Sequence, residues 1–106
     1  MIRMFIDDVR YPPDDGNKWI IIRSYDQFVD YAMENKILPN FISFDHDLGM
    51  ESENGHELVK DMLNSVIDGF NELPEDFAYE VHSANPVGAK NIHGVLECYF
   101  KYKDKI

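Results

Sequence analysis

The sequence holds a single cysteine, Cys98, in 106 residues. No internal disulfide can form, so the expectation is a reducing, cytoplasmic setting. Positive charge is scarce: 10 Lys and Arg against 20 Asp and Glu leave a formal net charge of -10. That balance excludes a generic nucleic-acid coat, which needs a positive field, and it disfavours an anionic membrane surface. No apolar run approaches the roughly 20 residues that span a bilayer. The apolar start of the chain meets Asp7 and Asp8 at once, which is not expected of a secretory leader. Internal repeats, linkers and low-complexity stretches are also missing. What is there suits one domain, residues 1–106, with 44% hydrophobic residues to build a core.

Residues 2–6 form a short run, apolar but for Arg3 and too brief for a helix, which predicts a buried strand. Residues 11–17 are dense in Pro, Asp, Gly and Asn and predict a loop. Residues 19–22, a Trp and three Ile, predict a second strand. Ser24 followed by Gln27 has the form of a capping box. A helix to about Asn35 follows, with Phe28, Val29, Ala32 and Met33 facing inward. Residues 41–44 predict a third strand. Asn54 with Glu57 offers another helix cap, and Leu58, Val59, Met62, Leu63, Val66 and Ile67 recur at helical spacing. Gly69 is a plausible stop. Residues 77–81 predict a fourth strand. Pro86 suits the first turn of a last helix, whose apolar side holds Ala89, Ile92, Val95, Leu96 and Tyr99. Alternation of this kind predicts an α/β domain with a parallel sheet, and ligands in such sheets bind outside the carboxyl ends of the strands.

The polar clusters follow the strands. The first strand runs into Asp7 and Asp8, the third into Asp45, His46 and Asp47, and the fourth into His82, Ser83 and Asn85. Parallel strands bring these groups to one edge. Carboxylates crowded there repel by several kcal/mol outside bulk water, and a raised pKa or a bound cation relieves this. Mg²⁺ takes oxygen ligands of this type. Asp14 and Asp15 are expected to serve the loop instead. His46 and His82 suit proton transfer or a transition metal, whereas His56 and His93 fall in helices as surface or capping residues. Ser83 reads as a hydrogen-bond donor to an anion. Asn85 and Gly88 would offer backbone N–H groups to a phosphate, Lys90 a positive charge, and Arg10 a bidentate contact or a salt bridge.

The acid pair Asp7 and Asp8, Asp45 after the third strand and Ser83 after the fourth resemble the response-regulator receiver fold. That resemblance implies Mg²⁺ on the three acids, Asp45 as phosphoacceptor and Ser83 on the phosphate. The stretch after Asp8 reads as loop where receivers have a helix, and a fifth strand with the receiver lysine is absent, so Lys90 is at best its substitute. The fuller motif set is similar to a divergent branch, the cyclic-phosphate processing receiver-like domains: Asp7-Asp8-Val9-Arg10 with Pro12, Ser43-Phe44-Asp45-His46-Asp47-Leu48-Gly49, Gly55, and His82-Ser83-Ala84-Asn85-Pro86-Val87-Gly88-Ala89-Lys90-Asn91-Ile92. The fold expected is a three-layer, receiver-like (flavodoxin-like) α/β domain: a four-stranded, mainly parallel sheet flanked by about three helices.

The function expected is a metal-dependent phosphoesterase acting on a cyclic or linear nucleotide-derived phosphate. Asp7, Asp8, Asp45 and Asp47 would hold Mg²⁺ or Mn²⁺; Asp45, His46 and His82 would be catalytic; Arg10, Ser83, Asn85, Gly88 and Lys90 would bind substrate. The alternative is a non-enzymatic receiver-like switch or phospholigand-binding module with Asp45 as phosphoacceptor. A third reading is an interaction protein with an acidic, polyanion-like surface. The expected partner is a small phosphate-containing ligand, and the expected state a monomer or weak dimer, with Tyr99, Phe100 and Tyr102 as candidates for a dimer face.

Overall fold

The apolar and β-branched runs become strands: β1 Arg3–Ile6, β2 Trp19–Ile22, β3 Phe41–Phe44 and β4 Ala78–Val81. The amphipathic stretches become helices: α1 Tyr25–Glu34, α2 Gly55–Ile67 and α3 Pro86–Tyr102. These elements belong to a computed structural model, which describes residues 1–45, 55–82 and 85–103. The strands form one sheet in the order β2-β1-β3-β4, and every pairing is parallel. This is the receiver-like α/β arrangement expected from the alternation of elements.

Register decides what the sheet presents. Phe5 lies beside Ile21 and Ser43, and Ser43 beside Glu80. Side chains alternate along each strand, so the two faces differ completely. One face shows Met4, Ile6, Ile22, Ile42 and Phe44, which join Phe28 of α1, Leu58 and Met62 of α2, and Ile92 and Leu96 of α3 in one core cluster. Burying such a side chain contributes about 1.5–3 kcal/mol, so this is the face that holds the fold together. The other face shows Arg3, Phe5 and Asp7, then Trp19, then Phe41, Ser43 and Asp45, then Glu80 and His82. All three helices feed the first face, so the described elements form two layers rather than the three expected, because the segment between β1 and β2 is a loop and brings no helix to the second face. On the second, Trp19 packs edge-on against Phe5 and Phe41. The loop from β1 to β2 crosses it, with Asp15 4.0 Å from Arg3. That loop stands where a receiver has its first helix, as the Pro- and Asp-rich composition implied.

The helix ends have local causes. Ser24 caps α1 by accepting from the Gln27 N–H at 3.2 Å, and the Gln27 side chain accepts from the Arg23 N–H at 2.6 Å. This is the expected capping box, shifted back by one residue. At the far end of α1, the buried Asn71 side-chain amide donates to the carbonyls of Ala32, Asn35 and Lys36 at 2.9–3.2 Å. It thereby satisfies acceptors that the helix itself leaves open. α2 ends at Gly69, φ +83°, with Gly69 N–H on Val66 O and Phe70 N–H on Ser65 O. This is a Schellman turn, and glycine is needed there because an L side chain resists positive φ. Asn54, the expected cap of α2, lies outside the described residues. Two inward assignments fail: Met33 is 82% exposed and Ile67 47% exposed. Met33 stands in the last turn of α1 and Ile67 in the last turn of α2, where fewer neighbours follow to cover them. No helix among the described residues is long and apolar enough to cross a membrane.

Candidate functional site

Parallel pairing carries the tips of three strands to the same edge, and beyond β1 the chain turns sharply. Asp7 follows β1. Its backbone N–H donates to Ile22 O at 3.0 Å, which continues the ladder by one step. Its carboxylate Oδ1 then accepts from the N–H groups of Val9 and Arg10, both at 2.9 Å. This Asx-type turn explains why the chain leaves the sheet as a loop rather than a helix. Asp7 is fully buried and Asp45, after β3, nearly so. Burial works to raise the pKa of Asp7. The N–H donors of Arg10 and Val9, together with the hydrogen bond and charge of His82, outweigh it and hold the carboxyl below its usual value.

His82 follows β4, and its N–H on Phe44 O at 2.9 Å fixes its position beside β3. The imidazole stacks on Phe5, with centroids 4.4 Å apart and planes 10° from parallel. Its Nε2 lies 2.9 Å from Asp7 Oδ2 and its Nδ1 2.7 Å from Ser43 Oγ. Ser43, fully buried, donates in turn to Glu80 Oε1 at 2.9 Å. The result is a line of polar groups across the open face, from Asp7 through His82 and Ser43 to Glu80. Ligand-type atoms of Asp7, Asp45 and His82 all lie within 4.8 Å of one another. Two carboxylates and an imidazole at that separation form a donor set suited to a divalent cation. The anionic pair also gains most from a positive charge placed between its members. The residues present therefore fit a metal ion.

The other expected site residues fall as follows. Arg10 stands at the rim: its guanidinium donates to His82 O at 3.2 Å and lies 4.0 Å from Asp7 Oδ2. It is thus both a salt-bridge partner and a cation held next to the cluster. Asp8 is half-buried and does not join the three close ligand atoms. Asn85 caps α3, its Oδ1 accepting the Gly88 N–H at 3.0 Å. The Ala89 N–H goes to Asn85 O at 2.8 Å, and Pro86 has no N–H to offer. The Gly88 N–H expected to reach a phosphate is therefore already engaged within the helix cap. Lys90 is exposed on α3, along the groove between that helix and β4. Asp15 serves its loop, accepting from the Asn17 N–H at 3.0 Å. His46, Asp47 and Ser83 lie outside the described residues.

Three contributors were assigned no role from the sequence, although Ser43 opens the motif that runs to Gly49. Ser43 and Glu80 each stand two residues before a site residue, hence on the same face of their strands. A serine inside an otherwise apolar strand was the available signal. Arg23 follows β2 and donates to the carbonyls of Asp7, at 3.1 Å, and Arg10. It stacks on Tyr11, with the guanidinium carbon 4.8 Å from the ring centroid. Arg23 so pins the turn that aims Asp7, a role that no local pattern announces.

The model of the cyclic-phosphate processing receiver domain matches residues 2–98. The chain belongs to that family. The match spans all four strands, and it includes every residue of the cluster just described. No curated protein and no solved structure matches the chain. Membership in the cyclic-phosphate processing receiver family thus rests on a match along nearly the whole chain, and the family's association with cyclic phosphates comes with it.

Proposed function

We propose that this receiver-family domain is a metal-dependent phosphoesterase acting on a cyclic or linear nucleotide-derived phosphate. The observation that carries the reading is the meeting of Asp7, Asp45 and His82 at the carboxyl edge of the sheet, where open α/β sheets take their ligands. Asp7 and Asp45 hold the ion, Mg²⁺ or Mn²⁺, with Asp8 and Asp47 adjacent in sequence as further oxygen donors. The ion, when bound, polarises a phosphoryl oxygen and acidifies a water. Arg10 supplies a charged donor for the phosphate oxygens, and Ser83 and Asn85, which fall in sequence between β4 and α3, supply further hydrogen-bonding groups. His46 and His82 move protons. Gly88 and Lys90 stand further along α3 and act by shaping its first turns and by charge.

The test is turnover. Purified protein with Mn²⁺ is offered 2′,3′-cyclic, 3′,5′-cyclic, cyclic dinucleotide and linear phosphates. Hydrolysis of at least one, lost about 100-fold or more in Asp45→Asn, is expected. Failure to turn over any of them, with a thermal midpoint that metal leaves unmoved, would count decisively against the reading. Asp45 is also buried at the tip of β3, the position of a receiver phosphoacceptor. A single phosphoryl group gained from a small phosphodonor and lost in Asp45→Asn, read by intact mass, would favour the switch instead.

A further inference from the structure

The hydrogen-bond line on the open face has a direction. As a carboxylate, Glu80 only accepts. The single hydroxyl hydrogen of Ser43 therefore goes to Glu80 Oε1, 2.9 Å away. Ser43 Oγ must then accept from His82 Nδ1, at 2.7 Å. That places a hydrogen on Nδ1 and leaves Nε2 as the atom that faces Asp7 Oδ2 at 2.9 Å. Two lone pairs cannot meet at that distance, so a proton or a cation stands between them. Asp45 completes the pocket on the same side, within 4.8 Å. The stack on Phe5 removes the ring's freedom to turn away.

We infer that His82 is a metal ligand through Nε2, that Ser43 and Glu80 are positioning residues which keep its lone pair on the Asp7–Asp45 pocket, and that the site takes a borderline transition ion such as Mn²⁺, Fe²⁺ or Zn²⁺ in preference to Mg²⁺. This rests on the metal-dependent reading above and sharpens it. An imidazole bound to metal almost always gives its other N–H to an oxygen acceptor, which fixes the tautomer and the ring plane. Here that acceptor is a buried serine backed by a glutamate, a structure without purpose for an all-oxygen Mg²⁺ site. Hard Mg²⁺ favours carboxylate and water oxygens, and imidazole favours the later first-row ions. With two carboxylates and one imidazole from the protein, coordination positions remain for water and a phosphoryl oxygen. Proton traffic then falls to His46 rather than His82.

The experiment uses Mn²⁺ alone, with no substrate. Pulsed electron paramagnetic resonance on the Mn²⁺ complex is expected to show coupling to a directly bound ¹⁴N, absent in His82→Gln. Calorimetry is expected to rank Zn²⁺ and Mn²⁺ well above Mg²⁺. Glu80 is exposed, so Glu80→Ala leaves the core intact. It frees the Ser43 hydroxyl to donate to Nδ1, shifts the hydrogen to Nε2, and should weaken Mn²⁺ binding roughly 10–100-fold. Glu80→Gln, whose amide oxygen still accepts from Ser43, should restore most of it. Ser43→Ala should match Glu80→Ala, with circular dichroism confirming the fold of each variant. Mn²⁺ bound without nitrogen coupling, coupling that survives His82→Gln, or Mg²⁺ held as tightly as Mn²⁺ would overturn the inference and leave the phosphoesterase reading standing. Failure of every ion to bind would overturn both.

Discussion

The two faces of the sheet alternate along the same four strands, yet they do opposite work. Beneath the helices, Met4, Ile6, Ile42 and Phe44 are fully buried among apolar neighbours. On the open face, Phe5 and Ser43 are buried as well, but beside His82, Asp7 and Glu80. Three helices dry the first face, and a loop with a few aromatic rings covers the second. A face covered by helices can only hold a structure together. A face partly open to water keeps charged groups near a ligand, at the cost of burying Asp7 and Ser43, whose polar atoms all need partners. They have them: among the described residues, no buried side-chain nitrogen or oxygen lacks a hydrogen-bond partner.

Each face can be perturbed separately. The largest effect should come from the helical face. Phe44→Ala removes a fully buried ring and should destabilise by about 3–5 kcal/mol in urea denaturation, a large share of what a domain of this size has. Metal should stabilise through the open face alone. At about 100 times its dissociation constant it adds about 2.7 kcal/mol, read as a rise in thermal midpoint of roughly 10–20 °C. That rise should vanish in Asp45→Asn and persist in variants of the helical face that still fold. A smaller effect separates packing from local structure: Ser24→Ala, which removes the α1 cap, should cost about 1 kcal/mol without touching metal binding.

The two faces also differ in their response to pH. Asp7 has a folded pKa below its ordinary value of 3.8. Its contribution to stability is complete above that value and is lost as pH falls through the lower folded one. Tyr79, on the helical side, is pushed up to about 12 by burial and by the hydrogen bond and charge of Glu97. Between pH 10 and pH 12 the unfolded chain releases that proton first, so stability falls as pH rises. Acid should therefore weaken the open face and alkali the helical one. Asp7→Asn should flatten only the acid limb of a stability–pH curve, and Tyr79→Phe only the alkaline limb.

Much of this architecture could be read from the chain, because its signals are local. The Ile run of β2, the apolar spacing of α2 and the Ser24 to Gln27 cap each act within a few residues, and each element formed where expected. Asp7, Asp45 and His82 were also legible, as polar residues placed directly after apolar strands. The misses have a common cause. Met33 and Ile67 obey the helical period, yet whether a helix position is covered depends on how far its neighbours extend. Gly88 sits at a helix start, but its N–H was claimed by Asn85 at 3.0 Å. The side chains of Ser43, Glu80 and Arg23 matter through partners 12 to 39 residues away, beyond the reach of periodicity.

By itself, then, the sequence determined the elements, their parallel assembly and the three polar tips, since hydrophobic period and turn chemistry are properties of neighbours along the chain. Only the tertiary structure decided which of those polar groups touch, which way the Glu80–Ser43–His82 hydrogen bonds run and what Nε2 faces. Strand register sets these contacts. A slip of one residue would turn every one of these side chains to the opposite face.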